Sequence, residues 1–259
     1  MRLLNKAIIL ICLLFIPAIY TQELVTDRPD QTESAVTVPF KSLQIETGFA
    51  YESFKEKVFI YDSFKEENIP VENYSIAGTL LRYGLEDNVE FRLGGGYLVQ
   101  KGEDTIVDFD DLLVGLKINF FQEGSAPFDV GLLAHLIVPV YPIISFQEIE
   151  PELIFALSRS LSERFSISAN FGGSLDSRIV EIIYLYTLAL GISLNDELSS
   201  FIEIYGNVNE SLTPIHNFDG GFTYLLSDNL QLDISGGKGI SGIDSFWFIS
   251  TGLSLRLPE

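Results

Sequence analysis

Charged side chains placed two residues apart are the groups here whose types and spacing could do chemistry. Glu90 and Arg92 alternate with Val89, Phe91 and Leu93, and Lys117 alternates with Leu116 and Ile118. In an extended chain successive side chains point to opposite faces, so these charges share a wet face backed by an apolar one. Arg82 and Arg256 fall on the same kind of face, as do the acids Glu46, Asp219 and Asp233. Threaded up and down, Arg82, Arg92, Lys117 and Arg256 gather toward one end of an interior, with Glu90 among them. Charges enclosed in a narrow interior require partners. The stretch from Leu24 to Ser34 offers Asp27, Asp30 and Glu33, with Arg28 beside them, and Pro29 keeps it out of a strand. Two arrangements fit. The acidic leader docks against the basic lower interior, or it hangs free beneath a solvated wall.

The chemistry of catalysis finds little support. His135 and His216 are the two histidines, and His216 lies three positions before Asp219. A Ser/His/Asp hydrolase needs a serine held within hydrogen-bond reach of the pair, usually on a strained turn, and no such motif is visible. Glu148, Glu150 and Glu152 read as a solvated rim rather than a metal cage. No glycine-rich phosphate loop opens a helix. A non-enzyme that needs no cofactor and no metal is expected.

Residues 1–21 have the organisation of a secretory signal: Arg2 and Lys6, an apolar run from Ala7 to Ile16, and Pro17 as a breaker. The run is short for a membrane-spanning helix. The single cysteine, Cys12, lies within it, so the segment that follows has no disulfide or thiolate chemistry. Without that signal, 14 basic residues face 36 acidic ones. Such acidity disfavours nucleic acid, since a phosphate polymer would be repelled.

A chain that is 47% hydrophobic yet strongly acidic fits an apolar skin around a polar lumen. Twelve strand-like segments lie near 42–52, 74–85, 89–99, 111–121, 128–139, 150–160, 164–174, 181–194, 198–209, 215–226, 229–239 and 245–257. Each has about the length that a tilted strand needs to cross a bilayer. Short polar turns, such as 86–88, 162–163, 195–197 and 227–228, alternate with longer connections at 53–73, 100–110, 140–149, 175–180, 210–214 and 240–244. That alternation is the mark of a membrane barrel with short inner turns and long outer loops. The expected fold is all-β: a transmembrane antiparallel up-and-down β-barrel of about 12 strands with a short N-terminal lumenal or periplasmic segment. The expected organisation is signal 1–21, polar leader 22–41 and barrel 42–259. An even strand count leaves both termini on the periplasmic side of an outer membrane. The segments at 74–85 and 181–194 are apolar on both faces. Either the lumen is partly apolar there or those limits are wrong.

Several of these stretches resemble a known family. Val25 to Ser34, Ser42 to Phe49, Ser160 to Ser166, Asp219 to Asp233 and the ending Gly252 to Pro258 are similar to the phenol-degradation meta-pathway family of transporter-like proteins. The resemblance implies a Gram-negative outer-membrane barrel that passes small, hydrophobic or aromatic molecules. It supplies no catalytic residues. The partners expected are outer-membrane lipid, a small-molecule solute and the barrel-assembly machinery. The competing expectation is a non-transporting barrel with a filled lumen, used for structure or surface contact; a lipid hydrolase is third.

Overall fold

The computed structural model describes residues 24–60, 65–121, 126–140, 148–177, 180–211 and 213–257. The segment read as a signal, 1–21, lies outside them. Among the described residues there are thirteen strands and no helix: β1 Leu43–Ile60, β2 Lys65–Glu86, β3 Val89–Lys101, β4 Thr105–Phe109, β5 Leu112–Phe121, β6 Asp129–Val138, β7 Glu150–Ser160, β8 Phe165–Asp176, β9 Glu181–Ser193, β10 Leu198–Val208, β11 Ile215–Ser227, β12 Leu230–Ser241 and β13 Asp244–Leu257. Neighbours pair antiparallel all the way round. The pairing of Leu43 with Leu257 joins β1 to β13, and β2 pairs with both β1 and β3, so the sheet has no open edge. Closure satisfies every ladder internally, which lipid requires.

The thirteenth strand does not add a stave. β4 and β5 both run antiparallel to β3, β4 along Tyr97–Lys101 and β5 along Val89–Gly94. They are one path interrupted at Asp110 and Asp111, so twelve staves form the wall and β1 begins at the end where β13 finishes. Two connections expected to be loops are partly strand. β1 and β2 stay paired from Ser53↔Glu72 to Ile60↔Lys65, and β3 with β4 makes a second ribbon. The sequence between 53 and 73 hid this because a ribbon standing clear of the bilayer is wetted on both faces. Its lysines and glutamates therefore show no apolar alternation to read.

Within the wall the two faces separate as alternation demands. Outward side chains are apolar and uncovered: Phe222 is 51% exposed, Phe171 52% and Leu153 54%. Inward ones are charged and enclosed: Arg82, Glu90, Arg92 and Lys117 are fully buried. This reverses the usual arrangement of a water-soluble domain and matches a barrel set in lipid. Outward aromatics cluster toward the strand ends, with Tyr51 5.2 Å from Trp247 and 5.1 Å from Tyr74 between ring centroids. β9, where the pattern blurred, has Ile182 and Tyr184 facing out and Leu185 facing in. Leu185 packs on a small interior cluster of Ala35, Leu133, Ile154 and Ala156, so the lumen is partly apolar there.

Candidate functional site

The interior is occupied by the chain's own leader. From Leu24 it rises between β1 and β12, crosses the lumen to β9 and β10, turns past β8 and β6, and returns to the β2–β3 turn. Polar strand residues hold its backbone along this path. Gln44 donates to the Val25 carbonyl at 2.9 Å. The Gln31 amide donates to Glu203 at 2.7 Å, and Asn170 both accepts from the Glu33 amide at 2.6 Å and donates to the Glu33 carbonyl at 2.9 Å. Asn119 donates to the Ala35 carbonyl at 2.8 Å, and the Val38 amide donates to Glu90 at 2.8 Å. Thr32 bonds both Thr187 and Glu203. The leader lacks the alternation of a strand, so its own amides depend on these inward side chains for partners.

Three wall cations converge on two leader carboxylates. Asp27 lies 2.6 Å from Arg92, 2.9 Å from Lys117 and 3.2 Å from Arg82. Glu33 takes both prongs of its contact from Nη2 of Arg92, at 2.9 and 2.8 Å. Glu90 and Glu46 complete the cluster, each 2.8–2.9 Å from Arg82. The register explains the gathering: Arg82 sits opposite Arg92 across β2 and β3, and Glu90 opposite Lys117 across β3 and β5. Two guanidiniums facing each other in a closed wall repel unless anions come between them, and Asp27 and Glu90 do so. Burial alone would raise the Asp27 carboxyl, but Arg82, Lys117 and Arg92 together hold it well below its ordinary value of 3.8. For Glu33 burial prevails over its cations and pushes it up to about 7.

Arg28 pairs on the opposite wall, with Asp233 at 3.0 Å and Ser250 at 3.1 Å. It lies across Gly48 and Gly252, which are register partners on β1 and β13. A Cβ at Gly48 would stand 2.6 Å from the guanidinium Nη2, and one at Gly252 would be closer still. Only glycine permits that approach.

Of the residues singled out from the sequence, Asp27, Arg28, Glu33, Glu46, Arg82, Glu90, Arg92, Lys117 and Asp233 meet in this network. Asp30 departs from expectation. Among the described residues no ion pair joins it to a cation; burial and the charge of Glu203 push its carboxyl well above 3.8. Pro29 turns the chain away from the basic wall just before it. Arg256 contacts Asn229 in the β11–β12 turn, at 3.4 Å, rather than the acids of the leader described here. Asp219 faces Glu203 across β10 and β11, and the two carboxyls hydrogen-bond each other. His216 bonds Tyr186 at 2.8 Å, not Asp219. Glu152 is not on a solvated rim: it reaches inward to His135 at 2.9 Å. Glu203, Asn119, Asn170 and Thr187 were not singled out. Their signal was parity, since Glu203 lies between outward Ile202 and Ile204 just as Glu90 lies between Val89 and Phe91.

The leader divides the remaining space. Below it, toward the start of β1 and the end of β13, a cavity of about 610 Å³ is lined by Ser158, Ser166, Ser168 and Arg164 together with Thr26 and Ser34. Above it a cavity of about 360 Å³ is lined by Glu52, Tyr205, Asn217, Phe246 and Phe248. Asp30 lines both.

A closed antiparallel barrel with an apolar skin, a charged lumen and an inserted N-terminal segment defines a membrane β-barrel of the outer-membrane type. Solved structures agree on the fold. The chain aligns with an outer membrane channel from Pseudomonas putida F1 at a TM-score of 0.65 and 11% identity, covering 86% of this chain and 98% of that one. It aligns with the NanC porin at 0.50 and 9% identity, covering 81% and 100%. No curated protein sequence matches. Residues 26–257 match the family model described as "Putative MetA-pathway of phenol degradation", and the chain belongs to that family.

Proposed function

We propose that this protein is a passive outer-membrane channel for small molecules, closed at rest by its own leader. The observation that carries the reading is the leader's position between two cavities, bound by side chains of nearly every surrounding strand. A wall built only for support has no need of an enclosed acid-and-base network that fits a detachable segment. The family description points to aromatic solutes. Inward Phe246, Phe248 and Tyr205 suit such solutes, because rings pass along aromatic surfaces with little desolvation cost.

The balance of forces favours a releasable plug. Charge-assisted contacts such as those of Asp27 and Arg28 contribute about 1.5–3 kcal/mol each. Ordering the leader's backbone costs about 1–2 kcal/mol per residue. Neither side dominates, so modest changes in pH or wall charge shift the leader. In this reading both termini are periplasmic and the β1–β2 and β3–β4 ribbons stand outside the cell. Lipid surrounds the wall, and the barrel-assembly machinery inserts it.

Planar-bilayer recording tests the proposal. Deleting residues 24–34 is expected to raise single-channel conductance severalfold. The number of bonds that fasten the leader favours the second reading, a filled barrel that transports nothing. Unchanged conductance after the deletion selects that reading.

A further inference from the structure

We propose that the outer cavity binds a small organic cation: a primary ammonium group carried on an aromatic or apolar body. The inference deepens the channel reading and rests on it only in taking this cavity as part of the solute's path.

The cavity combines two kinds of wall. One is aromatic: Phe246, Phe248 and Tyr205. The other is acidic and amidic: Asp30, Glu52 and Asn217. Asp27 and Arg28 form its floor, but each is already neutralised, Asp27 by three wall cations and Arg28 by Asp233. Among the described residues no lysine or arginine forms an ion pair with Asp30, Glu52, Glu203 or Asp219. Of the acids that line the cavity, Asp30 and Glu52 therefore have no ion-paired cation among the described residues.

A second observation is independent of that charge. Asn217 is 7% exposed and lines the cavity, yet its amide oxygen has no donor. Two residues along the same face, Asp219 is 2% exposed but lies outside the cavity lining, where its carboxyl hydrogen-bonds that of Glu203. A buried acceptor without a donor is costly, and the Asn217 oxygen together with the carboxyls of Asp30 and Glu52 in the same lining asks for a group that brings several N–H bonds. An ammonium brings three. The rings supply what a bare metal ion would not use: faces for a cation–π contact and apolar area for a hydrocarbon body. No cluster of three or more His, Cys, Asp or Glu side chains fit to hold a metal occurs among the described residues, which argues against an inorganic ion.

The test is equilibrium binding to the full chain in detergent micelles, by titration calorimetry, with benzylammonium, benzyl alcohol and benzoate at neutral pH. Benzylammonium is expected to bind at least about tenfold more tightly than the alcohol, and benzoate more weakly still. The isosteric variant Asp30→Asn and the cavity-wall variant Asn217→Leu are each expected to remove most of that preference. Glu52→Gln, near the rim, should weaken it without risk to folding. Equal binding of alcohol and ammonium, tighter binding of benzoate, or a preference indifferent to all three variants overturns the site. Conductance recorded on the same preparations separates the two readings. Selective binding with no current before or after leader deletion sinks the channel and keeps the site; current without selective binding does the reverse.

Discussion

Arg92 and Asp27 are 65 positions apart in the chain and 2.6 Å apart in space. The same guanidinium also grips Glu33, so one wall residue ties both ends of the leader's acidic turn. The Ser34 amide closes that turn by donating to Asp27 at 2.8 Å. Removing one member of a buried ion network leaves the others unpaired and costs about 3–5 kcal/mol. In Arg92→Ala that cost falls on the docked leader, because the strand ladder is untouched. Limited proteolysis of reconstituted protein should then cut within residues 24–34, where the wild type resists. A leader as protected as the wild type's would assign its retention to other contacts.

Docking of the leader is expected to depend on pH with two limbs. Glu33 is raised to about 7 when docked, against an ordinary 4.5. Its contribution is therefore fully present below about 4.5 and is lost as pH rises through about 7. Asp30 is also raised and acts in the same direction. Asp27 is lowered, so its contribution is present above 3.8 and is lost as pH falls through its depressed value. Open probability in bilayers should be least near pH 4, between 3.8 and about 4.5, and rise as pH increases toward and through about 7. Glu33→Gln should flatten the alkaline limb. A rise that survives in Glu33→Gln would move the effect to Asp30 or to the wall.

Gly252 offers a way to disturb the leader without altering the wall's charge. The three nearest atoms that a Cβ there would meet all belong to Arg28, whereas at Gly48 one of the three is the Thr251 carbonyl oxygen. Gly252→Ala is expected to lift Arg28 from Asp233 and raise conductance in the full chain. The same substitution in a protein lacking residues 24–34 should change neither conductance nor refolding. An equal effect in both backgrounds would locate the strain in the barrel itself, by the logic of a double-mutant cycle.

The outer skin makes a separate prediction. Leu116 faces out at 42% exposure, while its neighbour Lys117 is fully buried. Leu116→Arg near mid-bilayer should cost roughly 2–4 kcal/mol in a refolding titration. Ser168→Arg, which opens into the 610 Å³ lower cavity, should cost far less. Equal costs would reject the division into lipid and lumen faces.

Orientation can be read in whole cells. A cysteine at Glu103, between β3 and β4, should react with an impermeant maleimide added outside. One at Asn88, in the β2–β3 turn, should not. Labelling at Asn88 would invert the barrel.

Much of this architecture was legible before any coordinates. Alternation at Val89–Gly94 and Leu112–Phe120 assigned lipid and lumen faces, because a strand has a period of two and the bilayer demands one apolar side. Alternating turn lengths set the order of the staves, and the start of β1 meets the end of β13 as an even count of staves requires. The choice between a docked and a hanging leader was not legible. Asp27 and Arg92 can meet only once a closed ring brings β2, β3 and β5 round a space narrow enough for a single strand of backbone. Ring closure likewise decided that Asp30 faces Glu203 and Asp219 instead of arginines. A peptide's direction past Pro29 depends on where the wall offers partners for its amides, and those partners come from strands more than a hundred residues away. Local sequence carries the period of each strand; the contacts across the lumen exist only when all twelve staves have closed.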